Sequence, residues 1–134
     1  MTDLQALHDA THTMVMGVLN ITEDSFSDGG LWLDPAKAAQ HGRDMMAAGA
    51  DIIDIGAEST RPGAKRVSEA DELARITGAV KTLIPAGAVL SIDTTRASVA
   101  AAALSEGAQI INDVSGGTLD AELPHVVADH DCLY

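Results

Sequence analysis

The sequence predicts an α/β fold built on a parallel sheet, and three observations carry that prediction. Short apolar runs at residues 14–19, 52–55, 89–92 and 110–111 alternate with stretches of helical spacing. The first run shows no apolar–polar alternation, so it reads as a strand buried on both faces, as in a parallel sheet. The unit also repeats: Gly49-Ala50-Asp51-Ile52-Ile53-Asp54 echoes Gly107-Ala108-Gln109-Ile110-Ile111-Asn112, with Gly87-Ala88-Val89-Leu90-Ser91-Ile92-Asp93 as a looser copy. Each time a helix ends at glycine, an apolar strand follows, and the strand finishes on Asp or Asn. Such β-α-β-α order with short connections implies right-handed crossovers. Two architectures fit, an open doubly wound sheet and a (β/α)8 TIM barrel cut short. A barrel needs about 250 residues. The 134 residues here hold four units and the start of a fifth at 132–134, about half of one. The expected layout is a tail at 1–13 and the N-terminal half of a barrel at 14–134, with the chain truncated. No Gly-x-Gly-x-x-Gly follows the first strand, which counts against a dinucleotide-binding sheet.

Each helix carries its own punctuation. Asp34-Pro35 supplies a capping carboxylate and a proline at the first helical position. Ala38, Gly42, Met45, Met46 and Gly49 then share one face, and Gly49 closes the helix. Ser68 with Asp71 caps the second helix, whose stripe is Leu73, Ile76, Val80, Leu83 and Ile84 before Pro85 ends it. Thr94 or Thr95 can cap an alanine-rich helix over 97–105. A weaker helix is expected over 121–129, with Pro124 near its first turn.

Composition narrows the function. The chain is 46% hydrophobic and 2% aromatic, so its core is built from Ala, Val, Ile, Leu and Met. A net charge of -12 argues against nucleic acid or an anionic membrane surface as a partner. One cysteine, Cys132, excludes an internal disulfide and fits a reducing, cytoplasmic setting. The N-terminus does not read as a signal peptide, and no run approaches the roughly 18 residues of a membrane span.

In a barrel the site lies at the C-terminal ends of the strands. Asn20, Asp54, Asp93 and Asn112 are all expected there. Two carboxylates and two amides suit a ligand with several N–H donors and acceptors along one edge. They do not read as hydrolytic, because no Ser-His-Asp or Cys-His arrangement accompanies them. Half of the eight Lys and Arg residues (Arg61, Lys65, Arg66 and Arg96) fall in the loops after the second and third strands. In so acidic a chain this suggests an anionic ligand at that face. No metal cage is evident; Asn20 with loop carboxylates could hold a hard cation such as Mg2+. The 58–63 loop (Glu-Ser-Thr-Arg-Pro-Gly) is stiffened by Pro62, while the loop after Asn20, with two serines and two glycines around Phe26, reads as a mobile lid.

Four segments then carry a resemblance. Met-Gly-Val-Leu-Asn-Ile-Thr-Glu-Asp-Ser-Phe-Ser-Asp-Gly-Gly (16–30), Asp-Ile-Gly-Ala-Glu-Ser-Thr-Arg-Pro-Gly (54–63), Ser-Ile-Asp-Thr (91–94) and Ile-Asn-Asp-Val-Ser-Gly-Gly (111–117) resemble the dihydropteroate synthase family of pterin-binding enzymes, the sulfonamide target of folate biosynthesis. The resemblance runs in order over about 14–117. It implies a (β/α)8 barrel, a cytoplasmic homodimer, and condensation of 6-hydroxymethyl-7,8-dihydropterin pyrophosphate with p-aminobenzoate to 7,8-dihydropteroate and pyrophosphate. It implies that Asn20 binds Mg2+, that Thr60, Asp93 and Asn112 bind the pterin pyrophosphate, and that Phe26, Ser27, Arg61 and Pro62 shape the p-aminobenzoate and sulfonamide site. Asp24 and Arg61 take catalytic positions, Asp24 helping to place the metal and Arg61 ordering the second loop. The family's later pterin Asp, Lys and Arg-x-His have no counterpart in this sequence, so the fragment alone is expected to be inactive. Two alternative readings are a pterin-dependent methyltransferase with a corrinoid partner, and a non-catalytic half-barrel that binds pterin or pairs with another chain. The Ser-Thr-Arg-Pro-Gly and Asp-Ser-Phe-Ser loops speak against the first. Exposed strand edges speak against the second unless something covers them.

Overall fold

The computed structural model describes residues 4–22, 34–59 and 62–134. The apolar runs become four strands: β1 (Met16–Asn20), β2 (Ile52–Gly56), β3 (Leu90–Asp93) and β4 (Ile110–Asn112). Between and around them lie α1 (Leu4–His8), α2 (Pro35–Ala47), α3 (Glu69–Leu83), α4 (Ala97–Ser105) and α5 (Leu123–Ala128). All three strand pairings are parallel, in the order β1-β2-β3-β4. A parallel bridge from Ile110 to Leu133 sets the expected fifth strand beside β4. Helices α2 to α5 pack each on the next, as one layer over one sheet face. A doubly wound sheet would carry helices on both faces, so the arrangement is that of consecutive β/α units of a barrel. Helix α1 falls in the expected tail and buries no residue. No helix among the described residues is long and apolar enough to cross a membrane.

The core lies between the sheet and the helices. From the strands it takes Leu19, Ile53, Ile55, Leu90, Ile92 and Ile111, and from the helices Ala38, Ile76, Val80, Leu83, Val99 and Leu123. Alanines at 97, 100 and 103 line the buried side of α4 and let it approach closely. The caps form as the sequence dictates: the Asp34 side chain accepts from the Ala36 N–H, and the Ser68 hydroxyl accepts from the Asp71 N–H. Helix α4 differs. The Thr94 hydroxyl accepts from the Arg96 N–H at 3.1 Å, but the first helical N–H, of Ala97, goes to the distant Asp120 carboxylate at 2.8 Å.

One expectation is corrected in β1. Its run was read as buried on both faces, yet Met16 and Val18 are 44% and 54% exposed. Parallel pairing puts them on the sheet face opposite the helices, and nothing among the described residues covers that face at its β1 edge. β2 and β3, flanked on both sides, are almost wholly buried.

A second correction concerns charge. Arg96 was grouped with cations awaiting an anionic ligand, but the chain supplies its partners. Its Nη1 pairs with the Glu72 Oε2, and its Nη2 donates to the Val67 carbonyl at 2.7 Å. Glu72 is 1% exposed on the inner side of α3, and its other oxygen accepts from the Thr94 hydroxyl at 2.6 Å. Glu58 lies 3.3 Å from Arg96 and 3.4 Å from Arg66, and Arg66 also donates to the Thr95 hydroxyl at 3.1 Å. This network ties the loop after β2 to the loop after β3. Glu72→Ala should therefore cost about 2–3 kcal/mol, because it removes the closest carboxylate of a largely buried guanidinium and leaves it only Glu58 and the Val67 carbonyl. Glu72→Gln, which keeps a hydrogen-bonding oxygen, should cost less; equilibrium urea unfolding of the two variants measures the difference.

Candidate active site

The in-register ladder decides where the polar strand residues go. Successive side chains on a strand alternate faces, and parallel partners share a face. The register Asn20–Gly56–Asp93–Asn112 therefore forms one row across the uncovered side, at the C-terminal ends of all four strands. The row beneath is Val18–Asp54–Ser91–Ile110. Asn20, Asp93 and Asn112 stand where the sequence reading placed them. Asp54 does not: it is the middle residue of β2, one row deeper, and Gly56 ends that strand.

Gly56 is the floor between Asn20 and Asp93. A Cβ there would lie 3.3 Å from both the Asn20 Oδ1 and the Asp93 Oδ2. Its lack of a side chain keeps the space between these two groups open. On the other side of Asp93, the Asn112 Nδ2 donates to the Asp54 Oδ2 at 3.2 Å. The Asp54 Oδ1 and the Ser91 hydroxyl beside it in register are buried without a hydrogen-bond partner.

Electrostatics single out Asp93. Burial pushes its carboxyl up to about 6, and the charges of Asp54, Glu72, Glu58 and Asp113 add to the effect. Asp113, next to Asn112, shows the opposite balance. Burial raises it, but bonds from Ser115 and Gly117 and the Tyr134 hydroxyl hold its carboxyl below the usual range. Its oxygens accept from the Ser115 and Gly117 N–H groups at 2.8 and 2.7 Å, which fixes the loop leaving β4. Gly116 and Gly117 sit there at φ of 60° and 80°, where other residues are strained.

One cavity adjoins the row at Asp93, and a second lies farther out along the loop after β2. The first, of about 240 Å³, is lined by Asp93, Thr94 and Thr95 with Glu58, Arg66 and the exposed apolar side chains Val114 and Leu119. The other, of about 440 Å³, lies between Thr22, Ser59 and the 63–68 segment and carries Lys65, Arg66 and Arg75. Pro62 is exposed in a turn completed by Gly63 at φ 80°. The expectations for Asp24, Phe26, Ser27, Thr60 and Arg61 lie outside the described residues.

No group of three or more His, Cys, Asp or Glu among the described residues could hold a metal ion. Asn20 offers one neutral oxygen at an exposed position on the row. One such oxygen is compatible with a hard cation that keeps most of its waters.

Sequence reading missed Gly56, Ser91 and Glu72. Glu72 carried a signal: it stands one turn before Ile76 on the stripe that also holds Ala79 and Leu83, so a buried carboxylate needing a cation was implied.

The polar row at the strand ends of this parallel sheet is the candidate site, and comparison with known proteins gives the chain a class. Residues 16–134 match the family described as "Pterin binding enzyme", and the chain belongs to that family. Its relatives narrow the class further. The chain is 57% identical over 115 residues to the dihydropteroate synthase of Mycobacterium leprae, covering 86% of this chain and 40% of that one. It is 46% identical over 127 residues to that of Bacillus subtilis, covering 94% and 45%. The crystal structure of dihydropteroate synthase from Clostridium difficile, in the presence of pteroic acid, superposes with a TM-score of 0.84 at 43% identity, covering 92% of this chain and 48% of that one. The chain thus spans less than half the length of these relatives.

Two outcomes follow from this geometry. Gly56→Ala should leave stability within about 1 kcal/mol of wild type, since removing a strand glycine gains what the tight contacts lose. It should nonetheless weaken ligand binding about tenfold or more, about 1.4 kcal/mol, as calorimetry would show. Asp93 should also leave a mark on stability. A carboxyl raised when folded holds its proton up to about 6, whereas the unfolded chain releases it near the ordinary value of 3.8. The folded state binds more protons in that window, so the Asp93 contribution falls as pH rises through it. Asp51 and Asp113, both lowered, act in the opposite sense. The difference between wild type and Asp93→Asn isolates the effect: the variant should be the more stable at pH 7, and the gap should close toward pH 4, by thermal unfolding at each pH.

Proposed function

We propose that these residues form the pterin side of a dihydropteroate synthase. The complete protein would condense 6-hydroxymethyl-7,8-dihydropterin pyrophosphate with p-aminobenzoate, releasing 7,8-dihydropteroate and pyrophosphate in folate biosynthesis. The observation that carries this reading is the pairing of Asp93 and Asn112 at adjacent strand ends, on the open face, with Asn20 on the same row. The relative whose crystal structure was obtained in the presence of pteroic acid, a pterin joined to p-aminobenzoate, supports the substrate class.

In this reading the pterin lies with its amide and amino edge against Asp93 and Asn112. An anionic carboxylate facing N–H donors makes charge-assisted, directional bonds. Strand ends hold both groups rigidly, so the exocyclic carbon bearing the pyrophosphate is fixed relative to Asn20. Mg2+, held on the substrate side of Asn20, would offset charge on the departing pyrophosphate. As the C–O bond breaks, the pterin ring carries the positive charge, and the arylamine nitrogen attacks that carbon and then loses its proton. Thr60 contacts the pterin pyrophosphate. Phe26, Ser27, Arg61 and Pro62 shape the p-aminobenzoate site, with Asp24 assisting the metal and the first loop excluding water so that the amine reacts first. The complete enzyme acts as a cytoplasmic homodimer and binds sulfonamides in place of p-aminobenzoate.

Asp93→Ala should weaken pterin binding about 100-fold or more, since charged hydrogen bonds contribute about 1.5–3 kcal/mol each. Unchanged affinity by calorimetry would remove Asp93 from the site. The anionic form is the binding form and the carboxyl titrates at about 6. Affinity should therefore be steady above neutrality and decline as pH falls below 6, and Asp93→Asn should flatten that profile.

A further inference from the structure

Asp54 lies one row below the ligand-facing strand ends, and its placement is unusual. It is 5% exposed and stands in the middle of β2 on the face that carries the site. Its side chain reaches across β3 to the Asn112 carboxamide on β4, joining residues 58 apart in sequence. It makes one hydrogen bond, and its other oxygen is buried without a partner. A carboxylate buried so deeply with a single bond costs stability, and an apolar residue would suit the sheet better.

The return comes at Asn112. A free carboxamide can turn over almost without cost, exchanging its donor for its acceptor. Beside a carboxylate it cannot: a flip would set the Asn112 Oδ1 against the Asp54 Oδ2 and leave both oxygens without a proton. The Nδ2 therefore stays on Asp54, and the Oδ1 is turned to the other side. Asn112 is exposed while Asp54 is buried beneath it, so that other side is the open one. The ligand then meets two acceptors at neighbouring strand ends, the Asp93 carboxylate and the Asn112 carbonyl.

We propose that Asp54 is a positioning residue that locks the Asn112 carboxamide with its Oδ1 toward the ligand, so that Asp93 and Asn112 together read two adjacent N–H donors. The proposal rests on the pterin reading and deepens it: the 2-amino group and N3–H of a pterin are such a pair. A ring with oxo in place of amino at that position is refused, because it brings an oxygen to a fixed acceptor. Asp54 sets this selectivity without touching the ligand.

The test uses calorimetry on the full chain with 6-hydroxymethylpterin and its 2-oxo analogue, 6-hydroxymethyllumazine. Wild type should prefer the pterin about tenfold or more, since an unmatched buried acceptor costs on the order of 1–3 kcal/mol. Asp54→Asn keeps the shape but tolerates either Asn112 orientation, and should shrink the preference to within about threefold of unity. A purely structural role would lower both affinities together and leave their ratio intact; that result, or equal wild-type binding of the two ligands, overturns the proposal while the pterin reading stands. If wild type binds neither ligand, the pterin reading fails and the proposal with it. If Asp54→Asn does not fold, NMR of the wild type decides: the Asn112 side-chain amide protons, assigned through Asn112→Asp, should exchange slowly with solvent. Exchange at the rate of free carboxamides overturns the proposal.

Discussion

The parallel ladder between β1 and β4 is the constraint on which everything else in this chain rests. Its pairing is in register without a bulge, and a side-chain period of two then divides the sheet's residues into two populations. One population is Leu19, Ile55, Ile92 and their neighbours, under the helices. The other is Asn20, Gly56, Asp93 and Asn112, on the open side. A slip of one residue in any strand would exchange the two sets. It would drive a carboxylate or amide into an alanine- and leucine-lined layer and expose isoleucine in its place. Folding and chemistry are thus tied to the same alignment. A chain that packs its helices correctly has no choice but to present the polar row.

Two kinds of buried charge serve this frame in opposite ways. Glu72 is deeply buried but fully answered, by Arg96 and the Thr94 hydroxyl, and it fastens the loops after β2 and β3 to the scaffold. Asp54 and Asp93 are incompletely answered. Asp54 keeps an oxygen without a partner, and the Asp93 carboxyl is pushed up to about 6 by burial and by acidic neighbours. Balanced charge marks the support and unbalanced charge marks the site, as expected where a ligand supplies the missing partners.

Much of this was legible in the sequence, for identifiable reasons. Helix ends were plain because Asp34-Pro35, Ser68 and Gly49 act locally. The strand ends at Asn20, Asp93 and Asn112 were plain because an apolar run stops where a polar side chain turns to the open face. Asp54 was misread as a strand end because an acid inside an apolar run looks the same whether it ends a strand or points inward from its middle. Only pairing with Ser91 fixes its row. Arg96 was misread because its partner, Glu72, lies 24 residues away and is brought near only by the crossover. The exposure of Met16 and Val18 was also hidden, since a sequence states which residues are apolar but not whether both strand faces find cover.

The one-sided cover of the sheet has a consequence for the order in which the molecule gains stability. The helix-facing layer closes through contacts between successive units, β1 with α2 and β2, then β2 with α3 and β3. Such contacts require short loops, and short loops close fast and at low entropic cost. Among the described residues, the opposite face has no comparable local route at its β1 edge. Its cohesion depends on whatever arrives later, whether other chain segments or ligand. The helix-facing layer therefore closes first, and the exposed β1 edge at Met16 and Val18 is the part of the sheet that opens most readily under stress.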